Sequence, residues 1–355
     1  MSDIEIKIAN NSYSHQWNDF LNSFPRCDNH AYLWEWREII EKSFAHKPYY
    51  IVALENNNIV GVLPLFHVKS LIFGNSLISI PYTNAGGALA NSQEIINKLI
   101  NFTKDLGEKL SVSYLELRFR EKLDTTYLPY LTEQIEKVTM ILPFQSTTDE
   151  TFNSFSTKLR SQIRRPEKAE VQVKTYAQTN LKQGINLFYK VFSKHMRDLG
   201  TPTYPQKFIT SICEQFNTQA TIFIAFLEAK PIAAGLTISR AEYSEILLAS
   251  SLKEYNNISP NMLMYWHAMQ HASQKQQAKF FDFGRTSKDS GTYKFKKQWG
   301  SIEKQLYWYS YCYGKKEKPN TSASNSKFSL LQKCWKKLPL PLANLLGRIV
   351  TKWLP

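Results

Sequence analysis

Several common architectures are excluded by what this sequence has little of. Its four cysteines, Cys27, Cys213, Cys312 and Cys334, stand far apart. They lack the close pairing of a zinc site and the secretory context of a disulfide, so free thiols are expected. No uninterrupted apolar stretch is long enough to span a bilayer. Met1-Ser2-Asp3-Ile4-Glu5 has neither the basic start nor the apolar segment of a secretory signal, and a cytoplasmic body is the expectation. Acidic residues are in the minority, 30 against 44 basic ones, for a net charge of +14. That excess favours an anionic partner. It is unevenly placed: from Gly314 onward nine basic residues face one acidic residue, Glu317, a net +8. What is present is apolar mass, 43% hydrophobic and 14% aromatic over 355 residues. This is enough to offset chain entropy, and too long for one ordinary core, so two domains and a tail are expected.

An internal duplication follows from the pattern along the chain. Tyr49-Tyr50-Ile51-Val52-Ala53-Leu54, then Glu55-Asn56-Asn57-Asn58, then Ile59-Val60-Gly61-Val62-Leu63 reads as a β-hairpin. The same layout returns as Thr221 to Leu227, Glu228 to Pro231 and Ile232 to Leu236, with its glycine, Gly235, displaced by one place. A strand, a helix and another strand follow each hairpin. In the first half these are Leu77 to Ile80, a helix capped by Ser92 and ending near Gly107, and Leu115-Glu116-Leu117-Arg118-Phe119-Arg120, whose alternation predicts burial of one face. In the second they are Ile246-Leu247-Leu248, a helix capped by Ser259 with Pro260 in its first turn, and Phe280-Phe281-Asp282-Phe283. Helices also precede each hairpin. The expected fold class is α+β, with mixed β-sheets; helices first and sheet after suggest two tandem GNAT-like lobes, an order that periodicity alone does not separate from other α+β layouts. Their expected limits are 1–145 and 146–313, with a basic linker and amphipathic tail over 314–355.

The densest polar segment runs from Phe281-Asp282-Phe283-Gly284-Arg285 to Gly291-Thr292-Tyr293-Lys294-Phe295-Lys296-Lys297-Gln298-Trp299-Gly300. A strand end delivers Asp282 into a loop that also offers a guanidinium, a phenol and several ammonium groups. Attack of an amine on an ester or thioester builds an oxyanion and releases a proton, so a fixed cation and a base both serve. Lys296 and Asp282 suit those roles; a structural Asp282–Arg285 pair within a solvated lysine face is the alternative. Asp282-Phe283-Gly284 lacks the companion motifs of a kinase. His267 and His271 lie one helical turn apart without the glutamate of a zinc protease, so no metal is expected. Arg160, Arg164, Arg165 and Lys168 share a helical face that suits phosphate contact, or is simply solvated. Arg197 and Tyr204 flank a glycine- and proline-broken connection that suits an acceptor pocket. Tyr82 and Asn84 occupy a comparable loop in the first half, where turn geometry alone would also explain the glycines.

Through Phe44-Ala45-His46-Lys47-Pro48-Tyr49-Tyr50, Gly61-Val62-Leu63-Pro64-Leu65, Leu199-Gly200-Thr201-Pro202, Phe281 to Arg285 and Gly291 to Gly300, nearly the whole chain resembles the FemAB family. It is most similar to the FemAB-like proteins associated with exosortase (PEP-CTERM) exopolysaccharide systems. Phe295-Lys296-x-x-Trp299-Gly300 is similar to that family's Phe-Lys-x-x-Phe-Gly element, in which the lysine lies at the active site; tryptophan stands here for the second phenylalanine. The resemblance implies transfer of an acyl or aminoacyl group, from aminoacyl-tRNA or acyl-CoA, to an amine of an envelope or exopolysaccharide precursor. Lys296 would stabilise developing charge, Asp282 would orient or deprotonate the acceptor, and Arg285, Tyr293, Arg197 and Tyr204 would line the cleft. No tightly bound cofactor is expected. A non-catalytic assembly factor that binds glycan or lipid intermediates is the competing class.

In the tail, Leu342, Leu345, Leu346, Ile349 and Trp353 fall on one helical face with Arg348 and Lys352 beside it. Packing of that face across the lobes is the expected arrangement. Peripheral contact with the inner face of an anionic membrane is the other.

Overall fold

In the computed structural model, which describes residues 4–24, 29–70, 74–314 and 326–354, the chain divides into two units. The first comprises the described residues of 1–138, 304–320 and 352–355, the second those of 139–303 and 321–351. The units are therefore not contiguous in sequence, and the division expected at 145/146 and 313/314 is corrected. Residues 304–320 return to the first unit because a strand after residue 306 completes its sheet. Cys27 and the serine- and lysine-rich linker over 315–325 lie outside the described residues. Cys213, Cys312 and Cys334 are free thiols.

The first unit contains β1 (Ile4–Ile8), α1 (Ser14–Ser23), α2 (Trp36–Phe44), β2 (Lys47–Glu55), β3 (Asn58–Ser70), β4 (Gly74–Ser79), β5 (Leu89–Ala90), α3 (Gln93–Lys109), β6 (Tyr114–Phe119) and β7 (Thr132–Gln134). After β8 (Lys137–Pro143) come α4 (Thr148–Ser154), α5 (Thr157–Lys168), β9 (Gln172–Ala177), α6 (Leu181–Leu199), α7 (Gln206–Gln215), β10 (Ala220–Leu227), β11 (Lys230–Arg240) and β12 (Tyr243–Ser251). Next are α8 (Pro260–Gln274), β13 (Phe280–Ser287), α9 (Gly291–Lys297), β14 (Ile302–Gln305), β15 (Tyr307–Cys312), α10 (Ser326–Lys336) and α11 (Leu340–Val350). One mixed sheet has the order β1-β2-β3-β4-β6-β15-β7, with β5 also paired to β3; the other runs β14-β8-β13-β12-β11-β10-β9.

Both sheets grow from the duplicated hairpin. Glu55 pairs with Asn58 across Asn56-Asn57, whose φ values of 51° and 64° are tolerated by asparagine in a tight two-residue turn. The hairpin glycines do the same work twice. A Cβ at Gly61 would stand 2.8 Å from the Ala90 Cβ and 2.9 Å from Ile95 of α3, and one at Gly235 would stand 2.6 Å from the Met264 sulfur of α8. Each absence of a side chain lets the following helix settle close on its sheet. In the second unit Ile222 lies against Gly184 of α6, while the next residue, Phe223, meets His271 of α8 edge-on. Successive strand residues face opposite ways, so α6 and α8 cover opposite faces of this sheet.

Three local expectations are corrected. Strand β6 is buried on both faces, because Glu116 and Arg118 neutralise each other inside the protein rather than facing water. Ser259 does not cap α8 through its side chain: its φ of 55° places it in the left-handed region, where its hydroxyl donates to the Asn256 carbonyl. Pro260 does open the helix.

The third correction concerns α11, which packs on its small residues. Ala343 and Gly347 are buried, while Leu342, Leu345 and Ile349 are 42%, 56% and 45% exposed. A Cβ at Gly347 would come within 2.9 Å of the Thr203 backbone nitrogen and oxygen. Close approach there requires a residue without a side chain, and the large apolar residues are left outside. Each of these half-exposed leucines forgoes roughly 1 kcal/mol of burial. Gly347→Leu is expected to displace α11 and lower unfolding free energy by about 1–3 kcal/mol, read from a denaturant titration.

Candidate active site

The second sheet opens between β12 and β13. These strands run parallel, but their ladder covers only Tyr243–Glu245 against Phe280–Asp282, although β12 continues to Ser251 and β13 to Ser287. Immediately past the ladder β12 carries a bulge: Thr237 pairs with Ile246 and Leu236 with Leu248, so Leu247 is the extra residue. A bulge bends its strand and raises local twist, which draws β12 away from β13. Two carboxylates mark the vertex of the opening. Asp282 and Glu245 are register partners, both buried, and both point to the sheet face opposite Phe281 and Phe283. Phe283 stacks on Tyr265 of α8, so the carboxylates lie on the α6 face. Ser250, on the same face, meets Nδ1 of His195 from α6 at 3.0 Å.

Asp282 organises the turn that follows. Its Oδ1 accepts from the Thr139 hydroxyl at 2.5 Å and from the Gly284 backbone N–H at 2.8 Å, the local turn that aspartate forms two residues on. Gly284 has a φ of 71°, which glycine adopts without strain. Its carbonyl and that of Arg285 each accept from Nζ of Lys296 at 2.8 Å. Lys296 is buried in α9, whose N-terminus is capped by the Ser290 hydroxyl. The helix is anchored through Phe295 and Trp299 against Tyr265 and through Trp299 against Phe283 and Phe155. An ammonium has three protons. Two are held by the Gly284 and Arg285 carbonyls, and no third hydrogen bond of Nζ is formed among the described residues. Burial brings the Lys296 pKa down to about 8, outweighing the upward pull of Asp282 and Glu245; Arg285 adds to the lowering.

The first unit has the same parallel opening and fills it. β4 and β6 pair only over Ser76–Ile78 and Tyr114–Glu116. Beyond that point the Arg118 N–H donates to the Ser79 hydroxyl and the Arg118 carbonyl accepts from the Gly86 N–H. The Arg118 guanidinium binds Glu116 at 2.7 Å, donates to the Thr83 carbonyl at 3.0 Å and lies 4.4 Å from the Trp308 ring centre. The Arg118 side chain and the Gly86 loop thus close this opening from within the first unit.

Of the residues expected from sequence, the structure brings Lys296, Asp282 and Arg285 together. Tyr293 is on the same short helix, where its hydroxyl donates to Glu303 at 2.8 Å and accepts from Lys297 at 3.2 Å. Arg197, at the end of α6, donates to Asp198 at 2.7 Å and to the Leu338 carbonyl at 3.2 Å. Tyr204 stacks near Phe192 and meets Phe208 edge-on, and its carbonyl accepts from the Tyr189 hydroxyl. Tyr82 belongs to the first unit and is buried there, stacked on Phe44 with its hydroxyl 2.8 Å from His46 Nε2. Burial holds the His46 pKa down to about 4. Asn84 is half-buried in the same loop. On α5, Arg160 donates to the Asn153 carbonyl and Arg164 lies over the Phe152 ring, while Leu159 and Ile163 are buried.

His267 and His271 are half-buried, with burial lowering both pKa values. No group of metal-ligating side chains occurs among the described residues. Sequence reasoning missed Glu245 and Thr139. The available signal was an acid inside the apolar run Ser244-Glu245-Ile246-Leu247-Leu248, but its partner across the sheet is set only by the fold.

A parallel pair that parts after three residues, with a helix between its strands, occurs once in each unit; the chain has two tandem mixed-sheet lobes of GNAT-like fold, and only the second carries the bulge beside the opening. The family described as "Acetyltransferase (GNAT) domain" matches residues 153–297. Among solved structures, FemX is similar with 16% identity and a TM-score of 0.63 over 87% of this chain and 97% of that one. L-PGS from Bacillus licheniformis gives 10% identity and 0.55 over 91% and 97%. A tandem GNAT protein from the clavulanic acid biosynthesis pathway, without AcCoA, gives 11% and 0.54 over 89% and 100%. A search of curated proteins found no sequence match.

Proposed function

We propose that the second unit is a FemAB-like transferase that moves an acyl or aminoacyl group onto an amine of a cell-envelope or exopolysaccharide precursor. The observation that carries this reading is Lys296, a buried ammonium with two protons fixed on backbone carbonyls and a third uncommitted. An amine attacking an ester or thioester carbonyl forms a tetrahedral oxyanion; collapse forms the amide and expels the alcohol or thiol, which takes up the proton lost by the amine. Lys296 donates its third N–H to the oxyanion. Because its other two bonds hold Nζ still, little reorganisation is needed as charge develops.

Asp282 acts through the turn. It fixes Gly284, whose carbonyl fixes Lys296, so it is a positioning residue in this reading. Past the end of its ladder, the β13-facing side of β12 offers backbone groups to an extended donor arm. Arg160 and Arg164 on α5 suit the phosphates of aminoacyl-tRNA or of an acyl-CoA. Similarity to FemX and L-PGS favours an aminoacyl donor, and the GNAT match favours an acyl-CoA.

The test is incubation of the purified chain with amine-bearing envelope precursors and each donor class, followed by mass spectrometry. Transfer is expected from one donor class and is lost in Lys296→Ala. Binding of a precursor with no transfer from any donor would assign the chain to the assembly-factor class.

A further inference from the structure

We propose that α10 and α11 form a membrane-docking device that seats the second unit on an anionic lipid surface. Both helices pack on α6. Gln332 of α10 closes over Gly200, Arg197 holds the Leu338 carbonyl between the two helices, and Gly347 of α11 sits on Thr203. With their backs fixed by small residues and backbone contacts, the helices turn large apolar residues outward. Leu342, Leu345 and Ile349 follow one stripe of α11, and Leu331 of α10 is 61% exposed.

Charge selects the partner. From Lys318 to the end of the sequence there is no aspartate or glutamate; Lys333, Lys336 and Arg348 are exposed on these two helices, and Lys337, also exposed, directly follows α10. An apolar ridge on helices that themselves carry cations and no carboxylate suits the boundary between acyl chains and anionic headgroups: leucines enter the apolar layer and the basic side chains reach phosphate. A second copy of the chain on this ridge would bring two sets of like charge together. The device neither spans nor needs to span the bilayer, and no described helix is long and apolar enough to do so. A surface-bound transferase would find a lipid-linked acceptor by diffusion in two dimensions. The docking itself does not depend on the proposed reaction.

The experiment is co-sedimentation of the full chain with vesicles of phosphatidylcholine alone or of phosphatidylcholine mixed with phosphatidylglycerol, with no donor or acceptor present. Partitioning onto the mixed vesicles is expected to exceed that onto phosphatidylcholine by at least about tenfold and to fall as salt is raised. Lys336→Ala/Lys337→Ala should weaken it about 10- to 30-fold and flatten its salt dependence. Leu345→Ser/Ile349→Ser should weaken it at least about tenfold. Both double variants should keep the wild-type melting temperature, since the replaced side chains are exposed. Absence of binding, equal binding to both vesicle types, or full binding by the leucine–isoleucine variant overturns the proposal. So does a concentration-dependent dimer that this variant disperses, which would make a second copy the occupant. Because transfer is not measured, failure here leaves the transferase reading standing, and failure of transfer leaves this one.

Discussion

Lys296→Ala is expected to lower kcat/KM by about 100- to 1000-fold, the effect of removing one preorganised donor from a developing oxyanion. The variant also deprives the buried Asp282 and Glu245 of a neighbouring cation, so circular dichroism must show that it remains folded at the assay temperature. The pH profile separates the chemical role from a structural one. The donor form is the ammonium, whose pKa burial has brought to about 8, so wild-type turnover, divided by the fraction of acceptor amine that is neutral at each pH, should hold below about pH 8 and fall as pH rises through it. A corrected turnover that climbs through the same range would make Lys296 a base and overturn the assignment.

Stability should move the other way. The folded pKa lies below the unfolded value of 10.5, so between them the unfolded chain holds the extra proton. The unfolding free energy of wild type, measured relative to Lys296→Met, should therefore rise from about pH 8 to about pH 10. Opposite slopes for turnover and stability would be hard to obtain from a residue that served packing alone.

Glu116→Ala should be strongly destabilising, costing about 3–5 kcal/mol in a denaturant titration. It strands the Arg118 guanidinium, 3% exposed in its side chain and beneath Trp308, with only carbonyl acceptors in place of a carboxylate. Removing both charges with Glu116→Leu/Arg118→Met should cost much less, because the desolvation penalty disappears together with the attraction. A double variant as damaging as the single one would mean that the pair contributes shape rather than charge balance. The same comparison bears on why one lobe of a duplicated fold keeps an open vertex and the other does not. In the first, the guanidinium and the Gly86 loop close the gap; in the second, the corresponding strands part beside Lys296.

Much of the molecule was legible one segment at a time. The Asn56-Asn57 hairpin, the Ser92-capped helix and the return of the whole pattern after residue 220 depend on turn chemistry and periodicity, which act over a few residues. Lys296 stood out because its neighbours resemble a known element and because an ammonium beside a strand-end loop suits acyl transfer. Other features depend on which strand lies beside which. Glu245 became Asp282's neighbour through parallel pairing across an intervening helix. Glu116 and Arg118 read as a solvent face because alternation reports polarity and not burial, and only the fold brings Thr83 and Trp308 to them. The outward leucines of α11 invert the rule that a surface helix buries its apolar stripe, since Thr203 admits nothing larger than glycine. By itself, then, the sequence determined the repeated α+β units, their turns and caps, and the lysine on which the chemistry is proposed to turn. Tertiary structure decided register, the partners of each buried charge and the face each helix presents, because these are set by residues distant in the chain that meet only when it folds.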